Sequence, residues 1–188
     1  MPRISPVPAA KTGPLLRLAY WYSTRRFGKM PEPFAVAAHS KPVFMSLARL
    51  ELAVERKWTA VDKHLVDLAV LKTALTVECP WCVDFGSMLS VGKGLDPAKV
   101  EQLPRWRTSD LYSDVERAAL AYAEAMSTTP LQVTDAMVEE LRRHLSERQV
   151  VELTAYIALE NSRARNNAAL GIESQRFSAG VCAVPQPA

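Results

Sequence analysis

The chain has 188 residues, of which 48% are hydrophobic and 23% are charged, a length and composition that suit one domain with a substantial buried core. Its 23 basic and 20 acidic residues give a net charge of +3 and are spread along the chain, which excludes a dedicated surface for nucleic acid or for an anionic membrane. We therefore expect the partner to be a small molecule or another protein.

The opening segment MPRISPVPAAKTGP contains four prolines and lacks the continuous apolar run of a signal peptide. No later segment approaches the roughly 20 apolar residues that span a bilayer. We therefore expect a cytoplasmic protein with no membrane segment and with reduced thiols. In that compartment a CxxC motif is catalytic or metal-binding more often than a structural disulfide.

Apolar residues recur at helical spacing, and no pair of alternating segments suggests a β-hairpin, so the predicted fold class is all-α. The predicted helices cover residues 14–26, 42–56, 60–76, 79–92, 96–103, 113–127, a segment from about 134, and 147–170. On the first helix we expect Leu15, Leu18, Ala19 and Tyr22 to lie on one apolar face. A glycine and two prolines break the chain at 28–33.

Residues 14–174 form the predicted single domain, with tails at 1–13 and 175–188. The sequence around Asp67 is similar to that around Glu152, at an offset of 152 − 67 = 85 positions. This offset pairs Cys82 with Asn167. It suggests an internally duplicated helical unit in which only the first copy carries thiols.

Two of the three cysteines, Cys79 and Cys82, lie in the segment VECPWCVDFGS. Cys79 fits the N-cap of a helix and Pro80 its first position, where the missing N–H of proline has no cost. Two cysteines three positions apart at a helix start can switch between dithiol and disulfide with little backbone movement. Free N–H groups and the helix dipole stabilise a thiolate there, so the position favours redox chemistry.

Two other interpretations of the pair stay open on the residues alone. A zinc site normally needs four ligands, and the other candidates are scattered: Cys182, His39, His64 and His144. The cysteines can also be inert and buried, because free cysteine behaves as a small hydrophobic residue. Cys182 falls in the predicted tail, where its role is open and includes a mixed disulfide.

Three segments carry a resemblance to a known family: DLAVLKTALTVECPWCVDFGSMLSVGKGLD, ERAALAYAEAM and ALENSRARNNAALGI. With an acid twelve residues before a CxxC and a glycine that closes the following helix, the chain resembles the carboxymuconolactone decarboxylase and AhpD-like alkylhydroperoxidase superfamily. The cysteine pair is typically absent from the decarboxylase branch. The resemblance therefore implies the thiol-dependent branch and an AhpD-like helical bundle.

The resemblance also implies roles for individual residues. Cys82 would attack the peroxide, and Cys79 would resolve the sulfenic acid into a disulfide. The family's relay glutamate falls on Asp67, but its histidine, four positions after the second cysteine, falls on Gly86, so the relay is incomplete. His64 lies three residues before Asp67 on the same helix face, and we hypothesise that these two serve the thiols together.

The expected function is that of a peroxidase or thiol-disulfide oxidoreductase that needs no cofactor or metal. The resemblance implies a homo-oligomer that is re-reduced by a thiol donor, such as a lipoyl-bearing or peroxiredoxin-like protein. One alternative is a decarboxylase-like lyase that uses Asp67 and has structural cysteines. Another is a redox-responsive interaction protein with little turnover.

Two further features receive an interpretation from the sequence. Trp81, between the cysteines, is expected to shape access to them or to pack in the core. A polar cluster near the end of the last helix is interpreted as a solvated face or a subunit interface, with a substrate role as the alternative. Its members are Glu160, Asn161, Arg163, Arg165 and Asn166.

Overall fold

The structure, a computed structural model, describes residues 2–179, and all regular elements within this range are helical. The helices are α1 Pro14–Phe27, α2 Glu32–Ala37, α3 Lys41–Lys57, α4 Lys63–Thr76, α5 Pro80–Gly92, α6 Pro97–Gln102, α7 Asp114–Ser127, α8 Asp135–Arg142 and α9 Glu147–Leu170. Short 3-10 turns cover Ala9–Lys11 and Leu103–Arg105. The all-α prediction is confirmed.

Helix α4 lies at the centre of the fold and contacts α5, α7 and α9. Leu68 and Ala69 on this helix are fully buried. One side of α4 packs with α5 and the end of α9 in a core cluster that includes both cysteines. Another side packs against α7, α8 and the first half of α9. The chain therefore surrounds one hydrophobic helix with amphipathic ones.

Local chemistry sets most of the helix ends. The Asp62 side chain accepts hydrogen bonds from the backbone N–H groups of His64 and Leu65, so α4 begins three residues later than predicted. Cys79 and Pro80 are the N-cap and first residue of α5, as predicted. Gly171 follows α9 with a φ of 64°, a left-handed conformation that glycine adopts without strain.

Two expectations for the N-terminal part are wrong. Leu15, Leu18 and Tyr22 are half exposed or more and only Ala19 of the expected face is partly buried, whereas Leu16 and Tyr20 are the buried residues of α1. Leu16 and Tyr20 pack in a small cluster with α2 and α3, and Phe27 at the end of α1 meets Phe85 of α5 edge-on, so only a narrow stripe of α1 is covered. Helix α2 was not predicted at all. Its two prolines lie at the N-cap and in the first turn, where proline is compatible with a helix.

Residues in both predicted tails bind to the helices. The backbone N–H of Arg3 donates to the carbonyl of Leu170 at 2.8 Å. After α9, residues 172–178, which we call the strap, fold back over α5. The tail boundaries themselves stay predictions. Within residues 2–179, no helix is long and apolar enough to cross a membrane.

Candidate functional site

The cysteine pair sits at the first turn of α5 and is disulfide-bonded in the structure, with the two Cα atoms 5.3 Å apart. The Sγ of Cys79 accepts a hydrogen bond from the backbone N–H of Cys82 at 3.2 Å, so a sulfur atom performs the capping role. The preceding residue, Glu78, has a φ of 55°, which turns the chain sharply from α4 into α5. Cys82 is 5% exposed and Cys79 only 1% exposed.

Asn167 on α9 completes the surroundings of the two sulfur atoms. Its Nδ2 lies 3.4 Å from the Sγ of Cys82 and 3.9 Å from the Sγ of Cys79, and its side chain is buried. Sequence reasoning did not identify this residue as functional. A signal was present, since the 85-residue offset pairs Asn167 with Cys82, but it indicated only a repeat.

Aromatic side chains form the wall beside the pair. Trp81 stacks on Phe85 with ring centroids 4.6 Å apart, and Phe177 of the strap meets Phe85 edge-on at 5.0 Å. The indole N–H of Trp81 donates to Gln175 Oε1 at 2.8 Å. Trp81 is 7% exposed. It therefore packs in the core and also links the CxxC turn to the strap.

Asp84 fastens the strap to α5. Its carboxylate accepts hydrogen bonds from the backbone N–H groups of Phe177 and Ser178, at 3.0 and 2.7 Å, and from the hydroxyls of Ser174 and Ser178. Burial by itself raises the pKa of this carboxyl, but the hydrogen bonds outweigh burial and hold the pKa below its usual value. Asp84 is therefore an ionised structural anchor.

Asp67 and His64 lie at the other end of α5. The Asp67 Oδ1 forms an ion pair with Lys93 Nζ at 3.2 Å, and its Oδ2 is buried without a hydrogen-bond partner among the described residues. Burial raises the pKa of Asp67, and Lys93 only partly offsets this effect. His64 is exposed, with its Nε2 at 3.4 Å from the carbonyl of Lys93. The carboxylate thus pairs with Lys93, and the role hypothesised for His64 stays a prediction.

Hydrophobic packing separates Asp67 from the sulfur atoms. Leu71, one turn after Asp67 on α4, faces Gly86, one turn after Cys82 on α5. A Cβ atom added at Gly86 would lie 3.0 Å from Leu71 Cδ2. Asp67 and Cys82 are therefore about two helical turns apart, roughly 11 Å along the helices. The structure brings the two cysteines together and places Asp67 against Lys93, so a role of Asp67 toward the thiols stays a prediction.

The polar cluster on α9 is divided between core and surface. Glu160 is 5% exposed and pairs with Arg163, which also binds Glu51 on α3. Burial raises the pKa of Glu160 to about 7. The interpretation as a solvated face is wrong for Glu160 and fits Arg165 and Asn166, which are exposed.

Within residues 2–179, no three His, Cys, Asp or Glu side chains gather in a group that could hold a metal ion. Cys182, one of the zinc candidates from the sequence, lies outside the described residues.

Comparison with known proteins identifies a matching family and a relative that is similar over nearly the whole chain. Residues 42–125 match the carboxymuconolactone decarboxylase family. The uncharacterized protein YnjA of Escherichia coli (strain K12) is 34% identical over 179 residues, which cover 95% of this chain and 96% of YnjA.

Two solved structures share the fold over nearly the whole chain. The debrominase Bmp8 superposes with a TM-score of 0.83 at 22% identity, covering 95% of each chain, and has also been solved in complex with 2,3,4-tribromopyrrole. An alkylhydroperoxidase AhpD core protein from Ralstonia eutropha JMP134 gives a TM-score of 0.83 at 20% identity, covering 94% of each chain. At these identities the likeness concerns the fold.

Proposed function

The chain belongs to the carboxymuconolactone decarboxylase family and carries a CxxC pair, and we propose that it is a thiol-dependent oxidoreductase that reduces a peroxide or a partner's disulfide. The observation that supports this proposal is the position of Cys79 and Cys82. They lie at a helix N-terminus, close enough to form a disulfide, with hydrogen-bond donors directed at their sulfur atoms.

The proposed reaction is a two-electron exchange. The Cys82 thiolate attacks one oxygen of the peroxide, the O–O bond breaks, and the alcohol leaves as Cys82 becomes a sulfenic acid. The Cys79 thiol then attacks the Cys82 sulfur, water leaves, and the disulfide forms. We assign the attack to Cys82 because the family resemblance implies this role for the second cysteine, which is also slightly more exposed than the first, 5% against 1%.

An external dithiol completes the cycle. It reduces the disulfide by thiol-disulfide exchange and is itself oxidised, so no bound cofactor is needed. A lipoyl-bearing or peroxiredoxin-like protein has the required chemistry. The exposed apolar residues of α1, which include Leu15, Leu18 and Trp21, support the proposal that the chain forms a homo-oligomer.

The aromatic wall favours a second candidate function. Trp81 is buried and stacked on Phe85, but Phe85 and Phe177 are only partly buried in the same cluster as the pair, and their open apolar surface suits an aromatic substrate. The same dithiol would remove a halogen from such a substrate: the pair loses two electrons and becomes a disulfide, the ring gains hydrogen in place of halogen, and halide and a proton are released. The structural likeness to a debrominase is consistent with this candidate.

The deciding experiment is a stopped-flow titration of the reduced protein with hydrogen peroxide, an organic hydroperoxide and a brominated pyrrole, following tryptophan fluorescence and free thiols. We expect rapid loss of two thiols with a peroxide, and none in folded Cys82→Ser. Bromide release with the pyrrole would favour the second candidate. Oxidation without turnover would indicate a redox-responsive interaction protein, and absent thiol loss with all three substrates would favour the lyase.

A further inference from the structure

The two sulfur atoms have different hydrogen-bond donors. The Sγ of Cys79 receives the backbone N–H of Cys82 at 3.2 Å, a bond that any N-cap acceptor would make. The Sγ of Cys82 is approached by the side-chain amide of Asn167 at 3.4 Å, and the same amide is 0.5 Å farther from the Sγ of Cys79, at 3.9 Å. The side-chain donor therefore favours Cys82.

Charged groups on the neighbouring helices are bound elsewhere. On α5, Asp84 is held by the strap. On α9, Glu160 pairs with Arg163, two turns before Asn167. On α4, Asp67 pairs with Lys93 at the far end of α5. None of these contacts includes a sulfur atom, and Glu78, the charged residue directly before Cys79, is exposed to solvent.

Position 86, one turn after Cys82 on α5, is another place from which a side chain could reach the Cys82 sulfur atom, but hydrophobic packing fills the space there. At Gly86, one turn after Cys82, the Leu71 side chain occupies the space into which a side chain would project. A titratable residue at position 86 would need Leu71 to move. Stabilisation of negative charge on Cys82 therefore depends on the helix terminus and on Asn167.

We propose that Asn167 is a catalytic residue whose amide N–H stabilises the Cys82 thiolate, and this role rests on the proposed thiol chemistry. An amide neither gains nor loses a proton in the working pH range, so its N–H points a fixed dipole at the sulfur. A hydrogen bond to a charged acceptor is stronger than one to a neutral acceptor, so the amide favours thiolate over thiol. Because Asn167 is buried, water does not compete strongly for the amide.

The test measures the thiol without any substrate. In a Cys79→Ser background, the rate of Cys82 alkylation by iodoacetamide is followed against pH in protein with Asn167 and in Asn167→Leu, a change of similar volume that removes the donor. In Asn167→Leu we expect the midpoint of the alkylation rate against pH to move to higher pH. Below that midpoint, the fraction of Cys82 present as thiolate should fall about tenfold. Asn166→Leu, at the exposed neighbouring position, is the matched control and should leave the midpoint in place.

A second arm separates charge stabilisation from packing. In a Cys82→Ser background, Asn167→Leu should shift the alkylation midpoint of Cys79 much less, since the amide lies farther from that sulfur. Equal shifts at both cysteines, or none at Cys82 in a folded variant, would overturn the proposal. Failure of peroxide turnover with the expected shift intact would count against the proposed function instead.

Should Asn167→Leu fold poorly, a measurement that keeps Asn167 in place still tests the proposal. The side-chain amide resonance of Asn167, followed by NMR in the reduced Cys79→Ser protein, should move with pH at the same midpoint as Cys82 alkylation. An amide signal that stays constant through that midpoint would contradict the hydrogen bond.

Discussion

The two ends of α5 hold different kinds of chemistry. At the first turn, two sulfur atoms are surrounded by neutral donors, the backbone N–H of Cys82 and the amide of Asn167. Next to the last turn, Asp67 and Lys93 form an ion pair. Carboxylate and thiols thus lie on adjacent helices at the expected sequence spacing, while the hydrogen-bonding partner of the carboxylate is Lys93 and those of the sulfur atoms are the Cys82 N–H and Asn167.

The cysteine end of α5 should contribute far more to turnover than the Asp67 end, and this is the largest difference we expect. Cys82→Ser should abolish peroxide reduction, because it removes the attacking atom. Asp67→Asn should lower turnover by less than about 100-fold, the lower limit for loss of a general acid or base. Steady-state assays of both variants with the same peroxide measure the contrast. If both variants lose the same amount of turnover while circular dichroism shows that they are folded, Asp67 and Cys82 would act together in one proton relay.

Position 86 lies on α5 between the CxxC turn and the ion pair of Asp67 with Lys93, and it is where the family resemblance places the relay histidine. Gly86→His places its Cβ at the 3.0 Å approach to Leu71 Cδ2, and such overpacking costs about 1–3 kcal/mol of unfolding free energy. Urea denaturation should show a smaller penalty for the same change in a Leu71→Ala background. Gly92→His is the matched control, since a Cβ there meets no atom within 4 Å. A penalty that is the same in both backgrounds would mean that Leu71 is not the obstacle.

The pH dependence of stability should reveal the buried state of Asp67. Burial raises its pKa in the folded protein, so the folded state binds the proton more tightly than the unfolded state. The contribution of Asp67 to the unfolding free energy is therefore fully present below its ordinary pKa of 3.8, and it is lost as pH rises through the pKa that Asp67 has in the folded protein. Between pH 4 and 8, the unfolding free energy of wild type minus that of Asp67→Asn should fall as pH rises, by at most about 1.4 kcal/mol per pH unit. A difference that grows with pH would mean that the Lys93 ion pair dominates.

The smallest expected effect is that of His64→Ala. The ring is exposed and reaches the carbonyl of Lys93, so its loss should change the unfolding free energy by no more than about 0.5 kcal/mol. Cys82 alkylation against pH should be unchanged. A shifted midpoint in this variant would support the pair of Asp67 and His64 that the sequence suggested.

Local signals in the sequence predicted the helices well. The cap at Cys79 and Pro80 and the glycine after α9 depend on neighbouring residues, and the structure confirms both. The face of α1 was wrong because its apolar residues outnumber those that α2 and α3 cover. Amphipathic spacing indicates which residues share a face, but the packing of other helices decides which face is buried.

For the site, the sequence predicted what lies within one turn of α5 and missed what comes from farther away. The pairing of Cys79 with Cys82 follows from their spacing. Asn167 comes from a helix 85 residues further along the chain, and no short-range pattern indicates that its side chain meets a sulfur atom. Whether Asp67 meets the thiols was also undetermined, because it depends on the space that Leu71 fills.

The strap has a consequence for the order of folding. Helices α4 and α5 are adjacent in sequence and can associate after closing a very short loop, whereas Asp84 must wait for Ser178, 94 residues away, and Cys82 for Asn167, 85 residues away. From these separations we expect the CxxC turn to form before Asn167 and the strap reach it. At that stage the two thiols would be close together and accessible, so early oxidation would compete with completion of the native fold.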